Sequence, residues 1–315
     1  MAARSTPNRV VATLAALSIA AAAVAVGCRV VAGRRGASDE AGVDSIDVGG
    51  LTRTYRVYAE QKGAREARAL MIVLHGGFGN AERSQRGFGM DAVAAREGFV
   101  VAYPDGVGGA RPALRNRRTW NAGTCCGAAV RNGVDDVAFL GAMIEKIVRE
   151  HGVDRSRVYV SGMSNGAMMA YRLACELPDA IAAAIPVAGA LEVDSCERGA
   201  DVAILHIHGT ADQNVPIAGG AGPRAVAGVE FRALADTIEL LRVGRGCATP
   251  TTSQLPDGTE LTVHRCQTGA PIHVRLVPGG SHTWPGATVG RQSAGQPTTL
   301  SASEAAWEFA RQFRK

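Results

Sequence analysis

Ser164 lies in Gly162-Met163-Ser164-Asn165-Gly166, between the apolar run Val158–Ser161 and a stretch with Ala167, Met168, Tyr171 and Cys175 at helical spacing. Strand, sharp turn, helix with a serine at the tip is the context of a nucleophile elbow. Flanking glycines suit a turn that leaves no room for large side chains, and the helix N-terminus supplies N–H groups toward a developing oxyanion. The chain holds 39 Gly, so the pentapeptide alone is a weak signal and a plain glycine-rich turn competes with it. A serine hydroxyl becomes a nucleophile only beside a base that an acid orients. Of seven histidines, His282 alone follows the last strand-like run in a loop, Pro278 to Gly286. Asp212 follows the strand-like run Val202–His208 directly. The competing readings are a surface-loop histidine and a turn-forming Asx residue. The order Ser164, Asp212, His282 is the one that accompanies such an elbow. The oxyanion hole is expected from the backbone N–H of Asn165 and of Gly77 in His75-Gly76-Gly77-Phe78, with Phe78 as the second choice.

The elements that must hold these residues alternate. Ser45–Val48 and Thr52–Tyr58 read as an antiparallel hairpin around Gly49-Gly50. Ala69–Leu74 and Phe99–Tyr103 are unbroken apolar runs, as strands buried on both faces should be. A helical pattern through Met90, Val93 and Ala94 separates them, and a long aperiodic loop spans 107–133. Asp135-Asp136 open a helix to His151; capping is favoured there over a catalytic carboxylate pair. Strands at Ile181–Ala188, Val202–His208, Thr259–His264 and Ile272–Val277, with helices at Gly228–Val243 and Ser301–Arg311, complete the pattern. Alternating strands and helices imply an α/β fold with a mostly parallel sheet, and no second domain or repeat is visible.

Arg4 and Arg9 precede an apolar run from Val10 to Val26, and Gly27-Cys28 follows. Residues 1–27 are expected to be a signal peptide, 28–44 a tether and 45–315 the catalytic domain. Ala25-Val26-Gly27-Cys28 looks like a bacterial lipobox with lipidation at Cys28; ordinary cleavage and an uncleaved anchor are the alternatives. Each puts the domain outside the cytoplasm, secreted or in the cell envelope. The other six cysteines, an even number, imply three disulfides in an oxidising compartment. Adjacent Cys125 and Cys126 are expected to bond to different partners, and Cys247 and Cys266 to close a hairpin. Metal-ligand spacing is missing, so no metal is expected. A net charge of +5 with scattered arginines excludes a nucleic-acid site, and 20% charged residues argue against global disorder.

Six blocks occur in order: His75-Gly76-Gly77; Trp120-Asn121-Ala122-Gly123 with Cys125-Cys126-Gly127; Val134-Asp135-Asp136-Val137; Gly162–Gly166; His208-Gly209-Thr210-Ala211-Asp212; and Gly280-Ser281-His282-Thr283-Trp284-Pro285-Gly286. Together they resemble the secreted polyhydroxybutyrate depolymerase and feruloyl esterase family of α/β hydrolases, similar to carbohydrate esterase family 1, over roughly residues 45 to 311. The resemblance implies an α/β-hydrolase fold and a serine esterase with no cofactor. It assigns the nucleophile to Ser164, the acid to Asp212 and the base to His282. Ser281 departs from it, since glycine is frequent there.

The resemblance implies hydroxybutyrate oligomers, or feruloyl and acetyl esters of polysaccharide, as substrates. Trp120 and Trp284 are expected to line an aromatic-accepting pocket or, equally, to pack the loops. The protein is expected to act as a monomer, touching a membrane only through its N-terminus. A silent surface-anchored binding protein and a lipase or peptidase on the same scaffold are the competing classes; no triad member is missing and no long lid insertion is visible.

Overall fold

The computed structural model describes residues 42–60, 67–226, 228–267, 269–288 and 298–315. The leader, Cys28 and the tether up to residue 41 lie outside the described residues. The strands are β1 (Val43–Val48), β2 (Leu51–Tyr58), β3 (Arg68–Leu74), β4 (Val100–Pro104), β5 (Val153–Met163), β6 (Ala183–Val187), β7 (Ala203–Gly209), β8 (Thr251–Gln254), β9 (Glu260–His264) and β10 (Ile272–Val277). They form one sheet in the order β1-β2-β4-β3-β5-β6-β7-β10-β9-β8. From β4 to β10 the neighbours are parallel, and an antiparallel hairpin closes each edge.

The helices are α1 (Ala81–Phe88), α2 (Met90–Glu97), α3 (Gly127–Arg131), α4 (Asp136–His151), α5 (Asn165–Glu176), α6 (Leu234–Arg242) and α7 (Ala302–Ala310). The alternation of β3 explains the two-layered core. Leu70, Ile72 and Leu74 face a cluster with Leu140, Ile144 and Ile147 of α4 and Met168 and Tyr171 of α5. Ala69, Met71 and Val73 face the opposite cluster with Phe88, Val93, Trp284 and Trp307. A strand covered on both faces must be apolar along its buried length, as β3 is from Ala69 to Leu74.

The structure differs from the sequence reading in several places, among them the short helix α3, which interrupts the loop expected over 107–133. The helix expected from Gly228 starts only at Leu234, because Phe231 is buried and pairs with Gly220 in an isolated bridge that takes its backbone out of any helix. Strand β8, Thr-Thr-Ser-Gln, is polar and wholly exposed, so no apolar pattern marks it. Cys125 and Cys126 bridge each other rather than separate partners. The remaining sulfurs are taken by Cys175–Cys196, between α5 and the turn before β7, and by Cys247–Cys266, which close the β8–β9 hairpin as expected. That leaves no other cysteine among the described residues for either of the adjacent pair.

Candidate active site

β5 ends at Met163 and α5 begins at Asn165, so Ser164 alone makes the turn, at φ 56° and ψ −123°. Positive φ on a residue with a Cβ costs on the order of 1–3 kcal/mol and persists only where the surroundings enforce it. Here they do. A Cβ on Gly162 would stand 2.4 Å from the Gly166 carbonyl oxygen, and one on Gly166 2.4 Å from that of Leu74. The Ser164 N–H donates to Val187 O at 2.9 Å. Phe78 and Ala188 are the other non-glycine residues at positive φ among the described residues. All three leave the carboxyl ends of adjoining strands β3, β5 and β6, where open α/β sheets bind ligands.

Asp212 and His282 come from the loops after β7 and β10, which are parallel neighbours. Ala211 N donates to Gly280 O at 2.8 Å and Gly279 N to Thr210 Oγ1 at 2.8 Å, so the two loops are laced together. His282 Nδ1 lies 2.7 Å from Asp212 Oδ2, and Asp212 Oδ1 accepts the N–H groups of Asn214 and Val215 at 2.8 and 2.9 Å. Burial alone would raise the Asp212 carboxyl; hydrogen bonds from His208 and His282 outweigh it and hold the group well below the usual carboxylate range.

The loop after β3 runs against the elbow. A Cβ on Gly76 would lie 3.5 Å from Ser164 Cβ, and one on Gly77 3.8 Å from Asn165 Cβ. Phe78 N already donates to Arg118 O at 2.7 Å, which removes it as an oxyanion donor. Among the described residues no acceptor takes the N–H of Gly77 or of Asn165. His75 braces the loop from behind. Its Nε2 accepts from Gly106 N at 2.9 Å and its Nδ1 donates to Gly76 O at 2.8 Å. Burial pushes the His75 imidazole down to about 4, so the ring that holds these two bonds is neutral.

The family model described as esterase PHB depolymerase matches residues 53–218. The chain belongs to this family. "Putative esterase NocK" of Nocardia uniformis subsp. tsuyamanensis is 32% identical over 77% of this chain and 74% of its own length. Feruloyl esterase B of Piromyces equi is 29% identical over 69% of this chain, which spans only 40% of that protein. The acetyl xylan esterase from Aspergillus awamori shares the fold, at a TM-score of 0.59 and 15% identity over 85% of this chain and 98% of that one. The protein is therefore an α/β-fold esterase of the PHB depolymerase family, a carboxylic ester hydrolase.

Neither tryptophan offers a face to this esterase's substrate: both are 0% exposed. Trp284 stacks on Phe88 at 4.2 Å and donates from Nε1 to Ser303 Oγ, on the far layer of the core. Trp120 donates from Nε1 to His75 O and from its backbone N–H to Asn165 Oδ1. Asp135 caps α4 by accepting from Ala138 N, whereas Asp136 is buried against Arg53 at 2.6 Å and accepts from Asn121 N. The Asn165 side chain, His75 and His208 were not assigned roles from sequence. The partners of Asn165 and His75 lie 45 and 31 residues away, at Trp120 and Gly106, where no local spacing announces them; His208 lies only four residues before Asp212.

Proposed function

We propose that this esterase is exported and works through a Ser164–His282–Asp212 acyl-enzyme mechanism on short-chain hydroxybutyrate oligomers or on feruloyl or acetyl esters of polysaccharide. The observation that carries the mechanism is the 2.7 Å contact between His282 Nδ1 and a buried, ionised Asp212, together with the strained elbow conformation of Ser164. Asp212 keeps the His282 proton on Nδ1, so Nε2 is the base. Ser164 Oγ attacks the ester carbonyl carbon while its proton passes to Nε2. The carbonyl oxygen becomes an oxyanion facing the N–H groups of Gly77 and Asn165. Collapse expels the alcohol, which takes the proton from Nε2 and leaves the acyl group on Ser164. Water repeats the sequence in reverse roles and releases the acid. The apolar leader, Cys28 and three disulfides support export, by lipid anchoring or cleavage. The relatives named for feruloyl and acetylxylan ester hydrolysis support the substrate classes.

The test is kcat/KM on methyl ferulate, acetylated xylan and hydroxybutyrate oligomers, with and without a serine-reactive phosphonate. Phosphonate on Ser164 with loss of all turnover is the expected result. Turnover that survives complete labelling at Ser164 would remove the mechanism, and no turnover on any of the three would remove the substrate classes.

A further inference from the structure

Asp212 Oδ2 accepts from two imidazoles. Besides His282, the His208 Nε2 lies 3.1 Å away and 2.9 Å from Val215 O. Both are acceptors, so the His208 proton sits on Nε2 and Nδ1 faces the other way as an acceptor. That nitrogen is 2.9 Å from His206 Nε2, and His206 Nδ1 is 2.8 Å from Tyr171 Oη on α5. The phenol, fully buried, has no other acceptor among the described residues, so its O–H donates to His206. With Nδ1 thus occupied, His206 carries its proton on Nε2 and donates to His208. Every donor in the row points the same way, Tyr171 to His206 to His208 to Asp212.

We propose that His208, held by His206 and Tyr171, is a positioning residue for Asp212: it competes with His282 for Oδ2 and thereby sets how strongly the acid holds the base. This rests on the triad reading above. The acid has four N–H donors on its two oxygens, so it has one orientation, and the charge that His282 meets is shared with a second ring. A carboxylate so shared is a weaker proton acceptor and raises the basicity of His282 less than an unshared one would. The ionisable groups that act on Asp212 are His208 and His282, and on His206 it is His208. Burial keeps His206 well below and Tyr171 well above their usual ranges, so across ordinary pH neither changes charge and the row is a fixed dipole chain. The far end is a hydroxyl on a helix that also carries Asn165, which ties the acid's orientation to the element that carries the elbow.

The experiment measures kcat/KM for p-nitrophenyl acetate from about pH 4.5 to 8 in the full chain, in His208→Met, His208→Gln and Tyr171→Phe. Methionine removes the donor at similar volume, glutamine keeps an N–H near the same place, and Tyr171→Phe removes one oxygen four links from the base. The acid limb should move up by roughly half a pH unit in His208→Met and less, in the same direction, in Tyr171→Phe. It should stay in place in His208→Gln, with KM changed less than about twofold throughout. Lost kcat with an unmoved acid limb in both Tyr171→Phe and His208→Met would reduce the row to scaffolding and overturn the proposal. Should His208→Met fail to fold, Tyr171→Phe and the imidazole 15N shifts of the unmodified protein decide it. Protons on Nε2 of both His206 and His208 support the row, and a proton on Nδ1 of either breaks it. A triad failure reads differently: the unmodified enzyme would show no acid limb, or Asp212→Asn would stay fully active.

Discussion

Asn165 and Trp120 exchange two hydrogen bonds, from Trp120 N to Asn165 Oδ1 at 2.7 Å and from Asn165 Nδ2 to Trp120 O at 3.0 Å. The residue after Ser164 thus mimics a strand partner for the middle of the long loop. Asn165→Ala strands the Trp120 N–H in the core, at about 1–3 kcal/mol, while Trp120 O keeps the Cys126 N–H at 3.1 Å. The expected outcome is a loss of about 1–3 kcal/mol in denaturant unfolding together with reduced kcat, since the same residue's N–H is the proposed oxyanion donor. An Asn165→Ala protein as stable as the unmodified one would show that the loop is held elsewhere.

Ser164→Ala should lower kcat by about four orders of magnitude or more and leave the fold unchanged, because the members of the proposed triad act as a unit. Ser164→Gly should be equally inactive yet more stable by about 1 kcal/mol, since glycine relieves the strain at φ 56°. Calorimetry on the two variants separates chemistry from strain; equal melting points would mean that the elbow stores none.

Acid should weaken the fold well above the carboxylate range. The His75 imidazole is pushed down to about 4 by burial, so the unfolded chain binds a proton more readily than the native one between about pH 6.5 and 4. The stability this neutral ring confers is complete above about pH 6.5 and is lost as pH falls toward 4, by up to about 3 kcal/mol. His206 acts with the same sign. Melting temperature measured from pH 8 to 4 should fall through that window, and His75→Gln should flatten the slope. A stability plateau down to pH 4 would contradict the burial of a neutral ring.

Trp284→Ala should not discriminate between esters. The ring packs on Phe88 inside the core, so its loss costs about 3–5 kcal/mol of stability and lowers kcat/KM alike for methyl ferulate and an acetyl ester. A selective loss on the ferulate would place a substrate surface where the structure has a sealed core.

What the sequence made legible was local. The elbow and the apolar strands rest on spacing within a few residues; the pairing of Asp212 with His282 follows from chain order after the elbow, and the structure joins the two at 2.7 Å across 70 residues. Other contacts across long separations were not legible. Trp284 reads as near the base because it lies two residues away, but its side chain leaves the site and enters the opposite layer. Cys125 and Cys126 read as two separate staples, since strain weighs against a bridge between neighbours while nothing in spacing shows where four other sulfurs go. Gly77 and Phe78 are equivalent as letters; the Arg118 carbonyl, 40 residues on, tells them apart.

The two hairpins that close the sheet bear on association between molecules. An open sheet leaves unpaired backbone groups along its two outer strands, here β1 and β8, and an open flank invites another chain to add a strand. One flank here ends in β8, four short polar residues exposed along their whole length; the other ends in β1, which carries Asp44 and Asp47. Both margins are thus short or charged, which opposes strand addition. Replacing Thr252 and Gln254 of β8 by valine would give that margin an apolar, β-prone surface, and light scattering would register the gain in self-association.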